Sequence, residues 1–95
     1  MGTNYKLRIE VDYQGAEIAR AELARLTIIA RTYDPGVSIT PDTTAVNLFF
    51  TRGREDAERF RVILKKECGE LVSRCEIFDL PQWFYLFINY FTTPQ

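Results

Sequence analysis

The sequence predicts an α+β fold, a four-stranded antiparallel sheet with two helices packed on one of its faces. Three observations predict it. Residues 5–13, 37–40, 44–51 and 71–78 carry strand patterns, and residues 16–32 and 54–68 carry apolar stripes at helical spacing. Their order is β-α-β-β-α-β, with no linker, repeat or low-complexity segment between them. Two helices on one face of a single sheet bury both stripes and satisfy the handedness of crossover connections.

Each element has its own signal. Tyr5, Leu7, Ile9, Val11 and Tyr13 alternate with Lys6, Arg8, Glu10 and Asp12, which describes a strand with one dry face and one wet face. Gln14-Gly15 ends it. In 16–32, Ala19, Leu23, Leu26, Ala30 and Tyr33 share a stripe, while Glu17, Arg20, Glu22 and Arg25 lie away from it. Asp34-Pro35-Gly36 stops that helix, because proline cannot continue one. A hairpin follows, with Pro41-Asp42-Thr43 as its turn. In its second strand Val46, Leu48 and Phe50 fall on one face, and Asn47 and Phe49 on the other. Glu55 and Asp56 suit the positive end of the second helix dipole. Ala57, Phe60, Leu64 and Cys68 form that helix's stripe, and Gly69 caps it. In 71–78, Ser73, Cys75 and Ile77 alternate with Arg74, Glu76 and Phe78. The pattern is that of a ferredoxin-like sandwich, a single domain over residues 1–95.

Composition narrows the chemistry. The chain of 95 residues is 46% hydrophobic and 26% charged, with a net charge of −1, which describes a folded chain without a global field for nucleic acid or anionic membrane. It holds no histidine, so imidazole bases, histidine metal sites and imidazole switches are excluded. Cys68 and Cys75 supply at most half of a tetrahedral zinc site and read as small apolar core residues. No metal or other cofactor is expected. The start MGTNYKLRIE carries no apolar leader, and Trp83 to Phe91 is far shorter than the roughly 20 residues of a spanning helix. The expectation is a soluble, cytoplasmic protein.

The segment Trp83-Phe84-Tyr85-Leu86-Phe87-Ile88-Asn89-Tyr90-Phe91 is the most unusual feature. Its aromatic and β-branched content predicts a fifth strand. A helix remains open, since Trp83, Leu86, Phe87 and Tyr90 fit helical spacing. As an edge strand it presents Trp83, Tyr85, Phe87 and Phe91 on one row, a large apolar patch. Either the segment folds over the open sheet face, against Phe49 and Phe78, or it is an interface with a second copy or another protein. Tryptophan and tyrosine dominate binding hot spots.

From Val11 the chain reads Val11-Asp12-Tyr13-Gln14-Gly15-Ala16-Glu17-Ile18-Ala19-Arg20. This stretch resembles the acylphosphatases, ferredoxin-like domains whose first strand runs into a Gln-Gly phosphate cradle ahead of a helix arginine. Gly36 through Phe50 resembles that family's middle hairpin, Gly53 through Phe60 the opening of its second helix, and Phe87-Ile88-Asn89-Tyr90 its closing strand. The resemblance implies acyl phosphate hydrolysis carried by Gln14, Gly15 and Arg20. Two departures fall at the chemistry. Arg20 follows Gly15 by one residue more than the family's arginine does, and Ile39 and Thr40 stand where its water-orienting asparagine sits. A cradle without an oriented water hydrolyses poorly.

RNA-recognition modules share this element order and stack bases on aromatics of their central strands. Here the outward positions of 5–13 are Lys6, Arg8, Glu10 and Asp12, and 44–51 offers only Phe49. Residues 52–66 hold six basic and three acidic side chains, with Arg54, Arg61 and Lys65 on one helix face for phosphate contact. Glu58 sits within that stripe, and Glu55 with Arg59 forms an i, i+4 pair, so a solvated face accounts for it. Asp34, Asp42 and Asp79 occupy turns or element ends, where aspartate is structurally preferred. No serine or cysteine has a base beside it. What remains is a non-catalytic interaction, regulatory or inhibitor module that works through its aromatic segment. Its expected partner is another protein or itself as a homodimer, rather than nucleic acid or membrane.

Overall fold

Leu7, Ile9, Val11 and Tyr13 are all buried while the residues between them are not, so one face of this strand is core and the other is not. A strand with that pattern in the middle of the domain must be paired on both edges, and it is. The computed structural model describes residues 5–14, 20–43 and 45–80. They form β1 (Leu7–Tyr13), α1 (Arg20–Tyr33), β2 (Ser38–Pro41), β3 (Ala45–Phe50), α2 (Arg54–Cys68) and β4 (Val72–Asp79). The sheet order is β2-β3-β1-β4 and every pairing is antiparallel. The architecture is the ferredoxin-like α+β sandwich. Residues 16–19 of the first helical pattern, and the strand or helix expected at 83–91, lie outside the described residues.

α2 buries the stripe its spacing dictates, namely Ala57, Phe60, Leu64 and Cys68. Phe60 meets Phe50 of β3 with ring centroids 5.6 Å apart, which joins the helix layer to the sheet. Gly69 ends α2 in a right-handed conformation, with φ −57°. Glycine is required there by space rather than by handedness, because a Cβ would collide with the Lys65 carbonyl oxygen. α1 buries Leu26, Ile29 and Ala30, with Leu23 and Tyr33 packed at the margin. Ile29 was absent from the stripe read in the sequence. Its neighbour Ile28 is 69% exposed, on the opposite side of the helix.

β4 departs from simple alternation at its start. Val72 opposes Tyr13 and Arg74 opposes Asp12, so Ser73 stands outside the register as a β-bulge. The extra residue reverses the phase before it. Val72, not Ser73, therefore packs on the core, and the Ser73 hydroxyl donates to the Asp12 carbonyl at 3.1 Å. Beyond the bulge Cys75 and Ile77 join the core side, as their spacing predicts.

Asp34 is the only buried charged residue among the described ones, at 0% exposure. A carboxylate cut off from water must have its oxygens occupied by donors. Here Oδ1 accepts from the Gly36 amide at 3.0 Å and the Thr51 hydroxyl at 2.6 Å, and Oδ2 accepts from the Thr51 amide at 2.6 Å. The turn after α1 is thereby tied to the junction between β3 and α2. Gly36 fits because a Cβ there would press within 3.0 Å of the Thr51 hydroxyl oxygen.

Asp34→Asn retains the shape of this clamp and breaks its polarity. Either orientation of the amide sets its NH2 against a backbone N–H, of Gly36 or of Thr51. Losing a charge-assisted bond and stranding a buried donor costs about 2–3 kcal/mol, which urea denaturation of the variant is expected to show with an unchanged slope. A loss under about 0.5 kcal/mol, the scale of an inert surface substitution, would contradict the clamp.

Candidate functional site

The face of the sheet turned away from the helices carries two unlike bands. In the first, Arg8 of β1 lies opposite Phe49 of β3 on one side and Phe78 of β4 on the other. The Arg8 guanidinium stacks over the Phe78 ring at 4.4 Å and donates to the Asn47 side chain at 2.8 Å. Tyr5 packs beside Phe49 with ring centroids 5.8 Å apart. The second band is charged. Glu10 lies opposite Glu76, a repulsive pairing of like charges, and Asp12 lies opposite Arg74. Arg74 offsets the repulsion by reaching Asp12 at 3.1 Å, Glu76 at 3.2 Å and Glu10 at 3.7 Å. The sequence placed Glu10 and Asp12 outward, but only the register across strands shows that Arg74 holds them together.

The cations of α2 are divided rather than pooled. Arg54 reaches Asp79 at 3.1 Å and Glu58 at 3.9 Å, at the end of β4. Arg61 pairs with Glu58 from the other side, so Glu58 bridges the two arginines. Arg59 pairs with Glu55 at 2.7 Å, as its spacing predicts. Arg61 and Lys65 instead share a groove between α2 and the start of β4. A continuous phosphate track along Arg54, Arg61 and Lys65 is interrupted by these ion pairs.

The residues named by the acylphosphatase resemblance are partly visible. Gln14 is exposed, and its backbone N–H donates to the Leu71 carbonyl at 3.0 Å. Arg20 is exposed at the first position of α1, while Gly15 lies outside the described residues. Ile39 packs against the core, and Thr40 is exposed opposite Asn47. Asp42 serves its turn, with its amide bonded to the Ala45 carbonyl and its carboxylate accepting from the Thr43 amide. The interface residues Trp83, Tyr85, Phe87 and Phe91 also lie outside the described residues.

Both cysteines are free thiols held in the protonated form. Burial pushes the Cys75 thiol up to about 11, against the opposing pull of Arg61. Burial raises Cys68 as well, and it lifts the Tyr13 phenol above its usual range. Neither thiol has the lowered pKa of a nucleophile. Among the described residues no three acidic or cysteine side chains are grouped to hold a metal ion, and no helix is long and apolar enough to cross a membrane. Compared with known proteins, the chain matches no family model, no curated protein and no solved structure.

Cys75 is half-buried where it lines a groove, so the pH dependence of its reactivity, rather than the rate alone, reports its protonation. Its alkylation by iodoacetamide, followed site by site by mass spectrometry, is expected to run roughly a hundredfold slower at pH 8 than that of an unperturbed thiol. The rate should climb until about pH 11. The same shift weakens the fold at high pH. The thiol's folded pKa lies above its unfolded one, so its stabilising contribution is intact below about pH 9 and is lost as the pH rises toward about 11. A rate that levels off by pH 8.5 would contradict the assigned burial.

Proposed function

We propose that the chain is a small non-catalytic protein–protein interaction module, of a regulatory or inhibitory kind, whose aromatic C-terminal segment makes the contact. The observation that carries this reading is the position of β4. Among the described strands it forms one edge of the sheet, paired with β1 on one side. Only Leu80, Pro81 and Gln82 separate its last residue, Asp79, from Trp83. An edge strand offers a row of backbone donors and acceptors to whatever strand lies beside it. Residues 80–95 carry no charge at all, so their association rests on apolar packing and backbone pairing.

The energetics suit a reversible complex. Burying about 400 Å² of apolar surface per subunit gives on the order of 10 kcal/mol gross at 25 cal/mol per Å². Lost rigid-body freedom and side-chain ordering cancel much of it. Self-association in the micromolar range is the expected outcome, and a shape-matched partner would bind more tightly. The chemistry of the described residues supports binding over turnover, since the thiols are protonated and Arg54, Arg59 and Arg61 are engaged by carboxylates.

Sedimentation velocity at a series of concentrations tests the reading directly. The native chain is expected to gain mass with concentration, and Trp83→Ala/Phe87→Ala to remain a monomer. A native chain that stays monomeric throughout, with Trp83 fluorescence already that of a buried indole, would contradict the reading and make the segment part of the core.

A further inference from the structure

The groove between α2 and the bulged start of β4 has a volume of about 370 Å³, within the range of small-ligand sites. Arg61 and Lys65 stand one helical turn apart along its α2 wall, and Ser73 and Cys75 lie along its β4 wall. Val62 and Val72 supply apolar surface between them, and Val62 is 64% exposed, an unusual position for a valine on a charged helix face. Two cations on one wall, next to exposed apolar surface, present a definite chemistry.

We infer that this groove binds an oxyanion carried on an apolar body, a phosphate or carboxylate group whose attached hydrocarbon lies against Val62 and Val72. The availability of the cations supports it. Lys65 makes no ion pair among the described residues. Arg61 gives one terminal nitrogen to Glu58, and a guanidinium has five N–H donors, so it can hold a second acceptor without releasing the first. Arg74, also at the groove, is committed to the carboxylates of the open sheet face. The Cys75 thiol stays neutral well above pH 8, so no internal anion from β4 competes for Arg61. The bulge matters too, because bulges re-aim side chains and interrupt the ladder where a ligand approaches. Ser73, the residue outside the β1 register, is the one it places at the groove. The site shares no residue with 83–91, so it stands whether or not that segment forms an interface.

Titration of the 15N-labelled chain with phenyl phosphate, benzoate and uncharged benzyl alcohol tests the inference. Saturable amide shifts are expected at residues 61–65 and 72–75 with phenyl phosphate or benzoate, and none with benzyl alcohol. The tighter of the two anions identifies the oxyanion the groove prefers. Arg61→Gln/Lys65→Gln is expected to weaken binding at least tenfold while shifts distant from the groove stay native. Val62→Asp, which sets a carboxylate on the rim, should weaken it comparably and carries the test by itself if the double variant fails to fold. Shifts that do not saturate, equal binding of benzyl alcohol, or affinity unchanged by the substitutions would overturn the site.

Discussion

A buried carboxylate can persist in a small domain only if the chain is folded so as to bring donors to it, and Asp34 sets that condition here. Its two oxygens gather two backbone amides and a hydroxyl, from Gly36 and Thr51, into a space closed to water. Asp34 itself continues the end of α1, with its amide bonded to the Ala30 carbonyl. Thr51 immediately follows β3 and stands three residues before α2 begins. One side chain thus ties the end of the first helix and the turn into β2 to the start of the second crossover. The alternative to this arrangement is an unpaired buried charge, which costs several kcal/mol in a protein whose whole stability is of that order.

With both crossovers held, the faces of the sheet are decided by the alternation in β1. Leu7, Ile9, Val11 and Tyr13 meet the helices, and Arg8, Glu10 and Asp12 meet whatever lies on the other side. The open face is consequently held by polar contacts across strands. Arg8 stacks on Phe78, and Arg74 pairs with three carboxylates. These are partly exposed interactions of modest individual strength. Their consequence is to engage the charge on that face within the sheet. Arg61 and Lys65 take no part in that network and line the groove between α2 and the start of β4, beside the bulge.

Much of this was legible in the sequence, and the exceptions share a cause. α2 could be read residue by residue because its apolar stripe, acidic first turn and terminal glycine all agree locally. Element order and the outward placement of Glu10, Asp12 and Phe49 followed from periodicity alone. The stripe read from the sequence omits Ile29, because Ile28 and Ile29 are equally apolar and only packing in the core selects between them. Simple alternation groups Ser73 with Cys75 and Ile77, because a bulge leaves no mark in such a pattern; it is a property of two paired strands. Asp34 read as an ordinary turn aspartate. Its main partner, Thr51, is 17 residues away, and no local signal links them. The candidate site was the least legible part, since Arg54, Arg61 and Lys65 share a helix face and only the fold separates Arg54 from the other two.

The clamp, the sheet and the surfaces they leave therefore form one chain of dependence, and its first link can be measured directly. Native-state hydrogen exchange resolves the Thr51 amide, which donates to Asp34 from the end of a strand where an amide otherwise frays. The Thr51 amide is predicted to exchange as slowly as those of Ile9 and Val11 in the central strand, opening only with global unfolding. Exchange of Thr51 many times faster than that of Ile9 and Val11 would mean that this junction opens independently, and that Asp34 does not hold the fold together.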